Sequence, residues 1–339
     1  MKQMSASAAN KKRSVSVFRQ GLITALILVG LILAFLFLWL YQIGTGYFGS
    51  YIDRNEQINS VMSLNGGLNY TAEEAQTLAP LQASWDDFCN SNLAEEVWTV
   101  SSDGSHLHGK FYNQGFCRTV LVLPRYNATE ESDFLYGNYF VSTGFNLLLT
   151  TPRAHGQSEG AYCGFGYLEK EDVAAWVSFL ANELGSEEII LYGEGMGANS
   201  VLFYVGQGAI DPSVRFLIVE SPYLSLKEQA VYTLQTVHEV PYIPFGLAIA
   251  WTLNHSDAGY QLSDVQLQSS TLSGATLPAL FLWGDADDYI PSESSQSVYE
   301  NYPAEKQFIS SNCRHGLLYS EEQAVLEREL NAWIQRYCT

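Results

Sequence analysis

Residues 21–41 of this 339-residue chain, GLITALILVGLILAFLFLWLY, form one uncharged apolar run. A helix needs about 20 such residues to cross the hydrocarbon core of a bilayer, so the run predicts one transmembrane helix ahead of any globular body. A cleaved signal peptide is the competing reading. Signal h-regions are shorter and end at small residues, however, whereas this run leads into Leu38, Trp39, Leu40 and Tyr41. Before it stand Lys2, Lys11, Lys12, Arg13 and Arg19 with no acidic residue. The positive-inside tendency therefore keeps residues 1–20 in the cytoplasm as a basic tail. The expectation is a single-pass protein of the cell membrane, attached through residues 21–41 as a signal anchor, with its C-terminal part extracytoplasmic.

That body is acidic. With the five basic residues of the tail set aside, 12 Lys and Arg face 36 Asp and Glu, a formal charge of about −24. Nucleic acid is not expected as a partner of such a surface, and anionic lipid headgroups repel it, so attachment to the membrane falls to the helix. The chain is 47% hydrophobic and 16% charged, which suits a packed core. The five cysteines, Cys89, Cys117, Cys163, Cys313 and Cys338, show no C-x-x-C spacing, so neither a zinc site nor a redox motif is suggested. In an outward-facing body two pairings are open, Cys89 with Cys117 and Cys163 with Cys313. His106 and His108 alternate on one strand face, but without a third ligand nearby they read as solvent-facing strand residues. No metal and no cofactor are expected.

Residues 42–93 are polar and mixed, with TAEEAQTLAPLQASWDDFCNSN reading as a helical connector that lifts the body off the membrane. From residue 94 short apolar runs alternate with amphipathic stretches, the pattern of strands and crossover helices in a mostly parallel sheet. EEVWTV and HLHGKFY suggest an opening antiparallel pair around SSDGS. TVLVLP, FNLLLT, EEIILYG, VRFLIVE, LPALFLWG and QFISS read as further strands, with EDVAAWVSFLANEL, GANSVLFYVGQG and EEQAVLERELNAWIQRY as helices. The fold class is α/β, a doubly wound sheet over 94–339. Residues 222–276 stand as an insertion, whose segment VPYIPFGLAIAWTLN is too short and too interrupted by proline to span a bilayer.

Ligands bind open parallel sheets at the carboxyl ends of the strands. Three loops fall there: Gly193-Glu194-Gly195-Met196-Gly197, then GDADDYIP at 284–291, then SSNCRHGLLYS, which carries His315. Together with PRAHGQSEG at 152–160 and ESPYLSL at 220–226, these motifs resemble, in order and spacing, the α/β-hydrolase family. Within it they are similar to membrane-anchored bacterial hydrolases of the serine aminopeptidase and monoacylglycerol lipase kind, over about 97–337. The resemblance implies a nucleophile elbow G-x-S-x-G followed by an acid and then a histidine base. Gly195 takes the nucleophile position, Asp287 the acid and His315 the base, with Asp288 as an alternative acid one residue on. It also implies an oxyanion site from the amides of Met196 and Tyr126, and a small helical lid from 222–276.

Two departures from the family pattern stand out. Gly195 has no hydroxyl for His315 to deprotonate, which closes the ordinary acyl-enzyme route. Family members carry His-Gly where this chain has Pro124-Arg125-Tyr126, which changes both backbone freedom and charge at the pocket mouth. No replacement nucleophile emerges: Ser200 is expected to face helix packing, Glu194 to point elsewhere on the turn, and Cys313 to be structural. His155 reads as a structural loop residue. Two functions follow as expectations. One is a catalytically impaired hydrolase scaffold, a pseudoenzyme that serves as a binding or interaction module. The other is an active esterase, lipase or peptidase. Either takes a small apolar ester, lipid or peptide.

Overall fold

Eight segments of the body have apolar side chains on both faces or on alternate positions, and each becomes a strand of one sheet. They are β1 (Glu95–Val100), β2 (His106–Tyr112), β3 (Arg118–Leu123), β4 (Asn146–Thr150), β5 (Glu188–Glu194), β6 (Val214–Glu220), β7 (Ala279–Gly284) and β8 (Lys306–Ser311). This computed structural model describes residues 2–54, 70–128, 134–237 and 244–338. The sheet order is β1-β2-β4-β3-β5-β6-β7-β8, with the β1–β2 and β2–β4 pairings antiparallel and the remaining five parallel. Strands β3 to β7 are buried on both faces, which is why they read as continuous apolar runs and not as alternating ones.

Helices cover both faces. On one, α4 (Glu169–Asn182), α5 (Met196–Gly206) and α8 (Ser292–Asn301) pack Trp176, Leu180, Val201 and Val298 against Leu121, Leu191, Leu217 and Phe281 of the sheet. On the other lie α2 (Ala72–Ser91), the short α3 (Gly137–Ser142) and α9 (Leu318–Tyr337), with Phe140, Leu326 and Trp333 against Val120, Ile190 and Ile218. The doubly wound expectation therefore holds.

Helix α2 falls in the segment expected to be a connector, and it packs on the body. Thr71 caps it: its hydroxyl accepts from Glu74 N at 3.2 Å while the Glu74 carboxylate accepts from Thr71 N at 2.6 Å, a reciprocal arrangement that satisfies two donors at once. Its apolar stripe drives Trp85 between the rings of Tyr112 and Phe134, leaving that indole 1% exposed.

The amino-terminal helix α1 (Lys2–Tyr51) contains Val17–Gly49, long and apolar enough to cross a membrane, with its side chains exposed over residues 17–39. It continues past residue 41 and ends against the insertion. Leu226–Tyr232 of the insertion forms α6 and Pro244–Leu253 forms α7, which lies along the end of α1 through Phe48, Ile52 and Ala250. Residues 55–69 of the connector and 238–243 of the insertion lie outside the described residues.

Candidate active site

The turn between β5 and α5 carries the first group. Gly195 there adopts φ 53° and ψ −109°, a backbone conformation that L side chains rarely enter, and its N–H donates to Glu220 O at 2.8 Å. The two glycines of this turn do different work. A Cβ at Gly197 would stand 1.9 Å from Leu123 O, so the start of α5 presses on β3 and space demands glycine. A Cβ at Gly195 would meet only Arg125 Cβ and Ile290 Cδ1, both at 3.6 Å, so only the backbone angle favours glycine there.

The second group comes from the loops after β7 and β8. Asp287 Oδ1 accepts from the amides of Tyr289 at 2.8 Å and Ile290 at 2.7 Å, which fix the carboxylate plane. Its Oδ2 accepts from Ser221 Oγ at 3.2 Å and from His315 Nδ1 at 2.6 Å. Asp288, the alternative acid, is half-exposed and bound to the Arg314 guanidinium at 2.7 Å, away from the imidazole. The pairing of acid and base is thus Asp287 with His315.

With Nδ1 held by Asp287, His315 Nε2 is the free end of the ring, and it is buried with no hydrogen-bond partner. Burial pulls the His315 pKa down, but the charge and hydrogen bond of Asp287, helped by Glu194, lift it above the ordinary histidine value. Such a pair can take a proton at Nε2 and stabilise the imidazolium that results.

These parts meet in one cleft of about 980 Å³ of atom-free space, counting its open mouth. Gly195, Met196, Arg125, Tyr126 and His315 form its floor. Leu226 and Leu234 of the insertion line it with Leu247, Ala250 and Trp251. The two residues expected to offer oxyanion donors, Met196 and Tyr126, both line this cleft, Met196 directly after Gly195 as the first residue of α5, while the side chain of that loop nearest position 195 is Arg125. Asp287 lies behind His315.

Several groups differ from what the sequence suggested. Glu194 does not point away: the chain reversal at Gly195 leaves its carboxylate 3.8 Å from His315 Nε2 and 4.0 Å from Arg125 Nε. Behind it Glu220 is buried, accepting hydrogen bonds from Tyr192 at 2.7 Å and Tyr136 at 3.1 Å. Burial and the charge of Glu194 raise the Glu220 pKa to about 7, against the pull of those hydroxyls. Nothing in a linear motif signals this, because Glu194 and Glu220 become neighbours only through the pairing of β5 with β6. His108 is wholly buried and not solvent-facing. The loop after β4 folds over it, so Thr151 Oγ1 lies 2.9 Å from Nδ1 while Glu96 holds Nε2.

Ser200 and Cys313, expected to be structural, are both engaged or masked. Ser200 is buried and donates to Met196 O at 2.8 Å, and burial pushes the Cys313 thiol up to about 12. Neither proposed disulfide forms, since Cys117, Cys163 and Cys313 are all thiols. Among the described residues no cluster of His, Cys, Asp and Glu is arranged to hold a metal ion.

No family model matches the chain. The uncharacterised protein YqkD of Bacillus subtilis is 30% identical over 218 residues, 64% of this chain and 70% of YqkD. The uncharacterised YfhR of Salmonella typhimurium is 25% identical over 235 residues, 64% of this chain and 73% of YfhR. Among solved structures, the Pyrococcus furiosus esterase Pf2001 superposes with a TM-score of 0.59 at 18% identity, covering 80% of this chain and 98% of the esterase. Mouse alpha/beta hydrolase domain-containing protein 10 superposes with a TM-score of 0.51 at 17% identity, covering 72% of this chain and 99% of its own. At these identities the solved structures speak for the fold, and YqkD speaks for kinship. This chain has the α/β-hydrolase fold and belongs to the same family as the uncharacterised YqkD of Bacillus subtilis.

Proposed function

We propose that this protein is a membrane-anchored, outward-facing hydrolase scaffold that binds a small apolar ester, lipid or peptide and does not turn it over through a covalent acyl-enzyme. One observation carries the reading: the buried Nε2 of His315, oriented by Asp287 and without a hydrogen bond though Glu194 lies 3.8 Å away, shares a pocket floor with Gly195, a residue with no side chain. The base is in place and the group it serves in related folds is missing. Loss of the nucleophile from such a triad costs about a millionfold in turnover, while binding and oxyanion contacts survive. Because a Cβ at residue 195 meets only ordinary contacts, the pocket has room for the missing atoms.

The alternative is an active esterase, lipase or peptidase, favoured by the intact Asp287–His315 pair. It requires a nucleophile other than Ser200 or Cys313, both engaged or masked as described. A fluorophosphonate probe separates the two readings. Intact-mass analysis is expected to find no adduct on the natural chain and one adduct at residue 195 of Gly195→Ser. A stoichiometric adduct on the natural chain that disappears in His315→Ala would overturn the binding-module reading.

A further inference from the structure

One part of the wall of the His315 pocket is not built by the hydrolase body. Tyr47, Phe48 and Tyr51 from the last turns of the membrane-spanning helix form it with Ile52, the residue that follows the helix. Their spacing of one, three and one residues keeps them on one helical face, and that face meets Ala250 and Leu253 of α7.

The junction is tied down on the other side as well. Cys163 N donates to Ile52 O at 2.9 Å and Arg54 N to Ala161 O at 3.0 Å, a short antiparallel bridge to the loop before α4. Tyr126 OH donates to Tyr51 O at 3.1 Å, and the Arg54 guanidinium donates to Gly156 O at 2.8 Å and to Ser158 O. One residue thus touches both the pocket floor and the anchor. These bonds tie the end of α1 to the loops around the site.

Helix geometry sets how far the pocket stands from the bilayer. At 1.5 Å per residue, Tyr47 stands about 9 Å and Tyr51 about 15 Å beyond Tyr41, where the continuous apolar run gives way to Gln42 while the chain stays uncharged to Ile52. A headgroup layer is about 5–7 Å deep, so the pocket opens at the membrane surface, within reach of a lipid chain that slides out along α1. The route from water is less favourable for acidic amphiphiles, because the body carries a charge of about −24.

We propose that the anchor completes the ligand pocket and that its occupant is one acyl chain of a neutral bilayer lipid, taken sideways from the outer leaflet. This inference rests on the apolar-ligand reading above and narrows it to one ligand class. The chain would lie along Phe48, Ile52, Leu234, Leu247 and Ala250, with its ester end toward Gly195 and His315.

The test uses the full-length protein in phosphatidylcholine vesicles containing a phosphatidylcholine whose acyl chain ends in a diazirine. Irradiation and peptide mapping are expected to place adducts on pocket residues, Leu234 and Leu247 among them, in addition to residues 21–41. Ala250→Trp fills the cleft and is expected to lower the pocket adducts at least tenfold while adducts on residues 21–41 stay unchanged, an internal control for insertion and folding. Adducts confined to residues 21–41 in the natural chain, or pocket adducts indifferent to Ala250→Trp, would overturn the proposal. Hydrolysis of nitrophenyl acetate by Gly195→Ser in detergent distinguishes the two levels. If that variant is active and the pocket takes no lipid, lateral entry is wrong and the scaffold reading stands. If it is inactive as well, both fall.

Discussion

Glu220 sits under the turn at Gly195, and replacing it by glutamine should stabilise the protein at alkaline pH. Its carboxyl is buried against Tyr136 and Tyr192, with a pKa raised to about 7 where an ordinary glutamate stands at 4.5. Between those values the native state keeps a proton that the unfolded chain has released, so stability falls as pH rises from about 4.5 to 7 and stays lower above. The gap of about 2.5 pH units corresponds to roughly 3 kcal/mol at pH 8. Glutamine has no charge to desolvate, and its carbonyl still accepts from the two tyrosine hydroxyls. Its amide faces the Glu194 side, where a donor relieves the repulsion between the two carboxylates. At about 2–4 °C per kcal/mol for a body of this size, Glu220→Gln should melt roughly 6–12 °C above the natural protein at pH 8 and near it at pH 5. Thermal melts of both proteins in one detergent, from pH 5 to 8.5, measure the difference. Parallel profiles would refute the reasoning, because a pH-independent offset cannot come from an ionisation that differs between folded and unfolded states.

Other perturbations give separate readings. Trp85→Ala empties a site flanked by Tyr112 and Phe134 and should cost about 3–5 kcal/mol, read as a fall in melting temperature, which also tests whether α2 belongs to the folded body. Gly197→Ala forces a Cβ into the Leu123 carbonyl and should yield little folded protein, whereas Gly195→Ala should fold at a cost of about 1–2 kcal/mol for its positive φ; soluble yield and melting separate them. In a Gly195→Ser background, Asp287→Asn should lower kcat by about 10⁴-fold. The reason is that Oδ1 is already taken by the Tyr289 and Ile290 amides, so the new NH₂ faces His315 and imposes the wrong tautomer.

Much of the fold was legible because strand signals in this chain are local. Runs such as NLLLT and EIILYGE are apolar on both faces, and their order with intervening amphipathic stretches already implies a parallel sheet. Asp287 and His315 were legible for a related reason, since each follows a strand at the edge where such sheets bind ligands. What escaped depends on contacts between distant segments. The stripe Leu78, Leu81, Trp85 and Phe88 shows an amphipathic helix, but not that it docks on Tyr112 and Phe134. His108 alternates as a surface residue would, until the 151–158 loop closes over it. Tyr47 to Ile52 read as the start of a connector, because their partners in α7 are about 200 residues away in the chain. Glu194 was misjudged since its direction depends on the φ of Gly195, which a glycine leaves open.

Turnover by two proteins that differ at one residue decides whether residue 195 is the missing nucleophile. Full-length natural protein and Gly195→Ser, both in detergent, would be given nitrophenyl esters with acyl chains of two to eight carbons. The account predicts that the natural protein stays at the buffer rate, while Gly195→Ser exceeds it by about 10³-fold or more and returns to it when His315→Ala is added. Hydrolysis by the natural protein that His315→Ala abolishes would contradict the account and show that a nucleophile other than residue 195 works with this histidine.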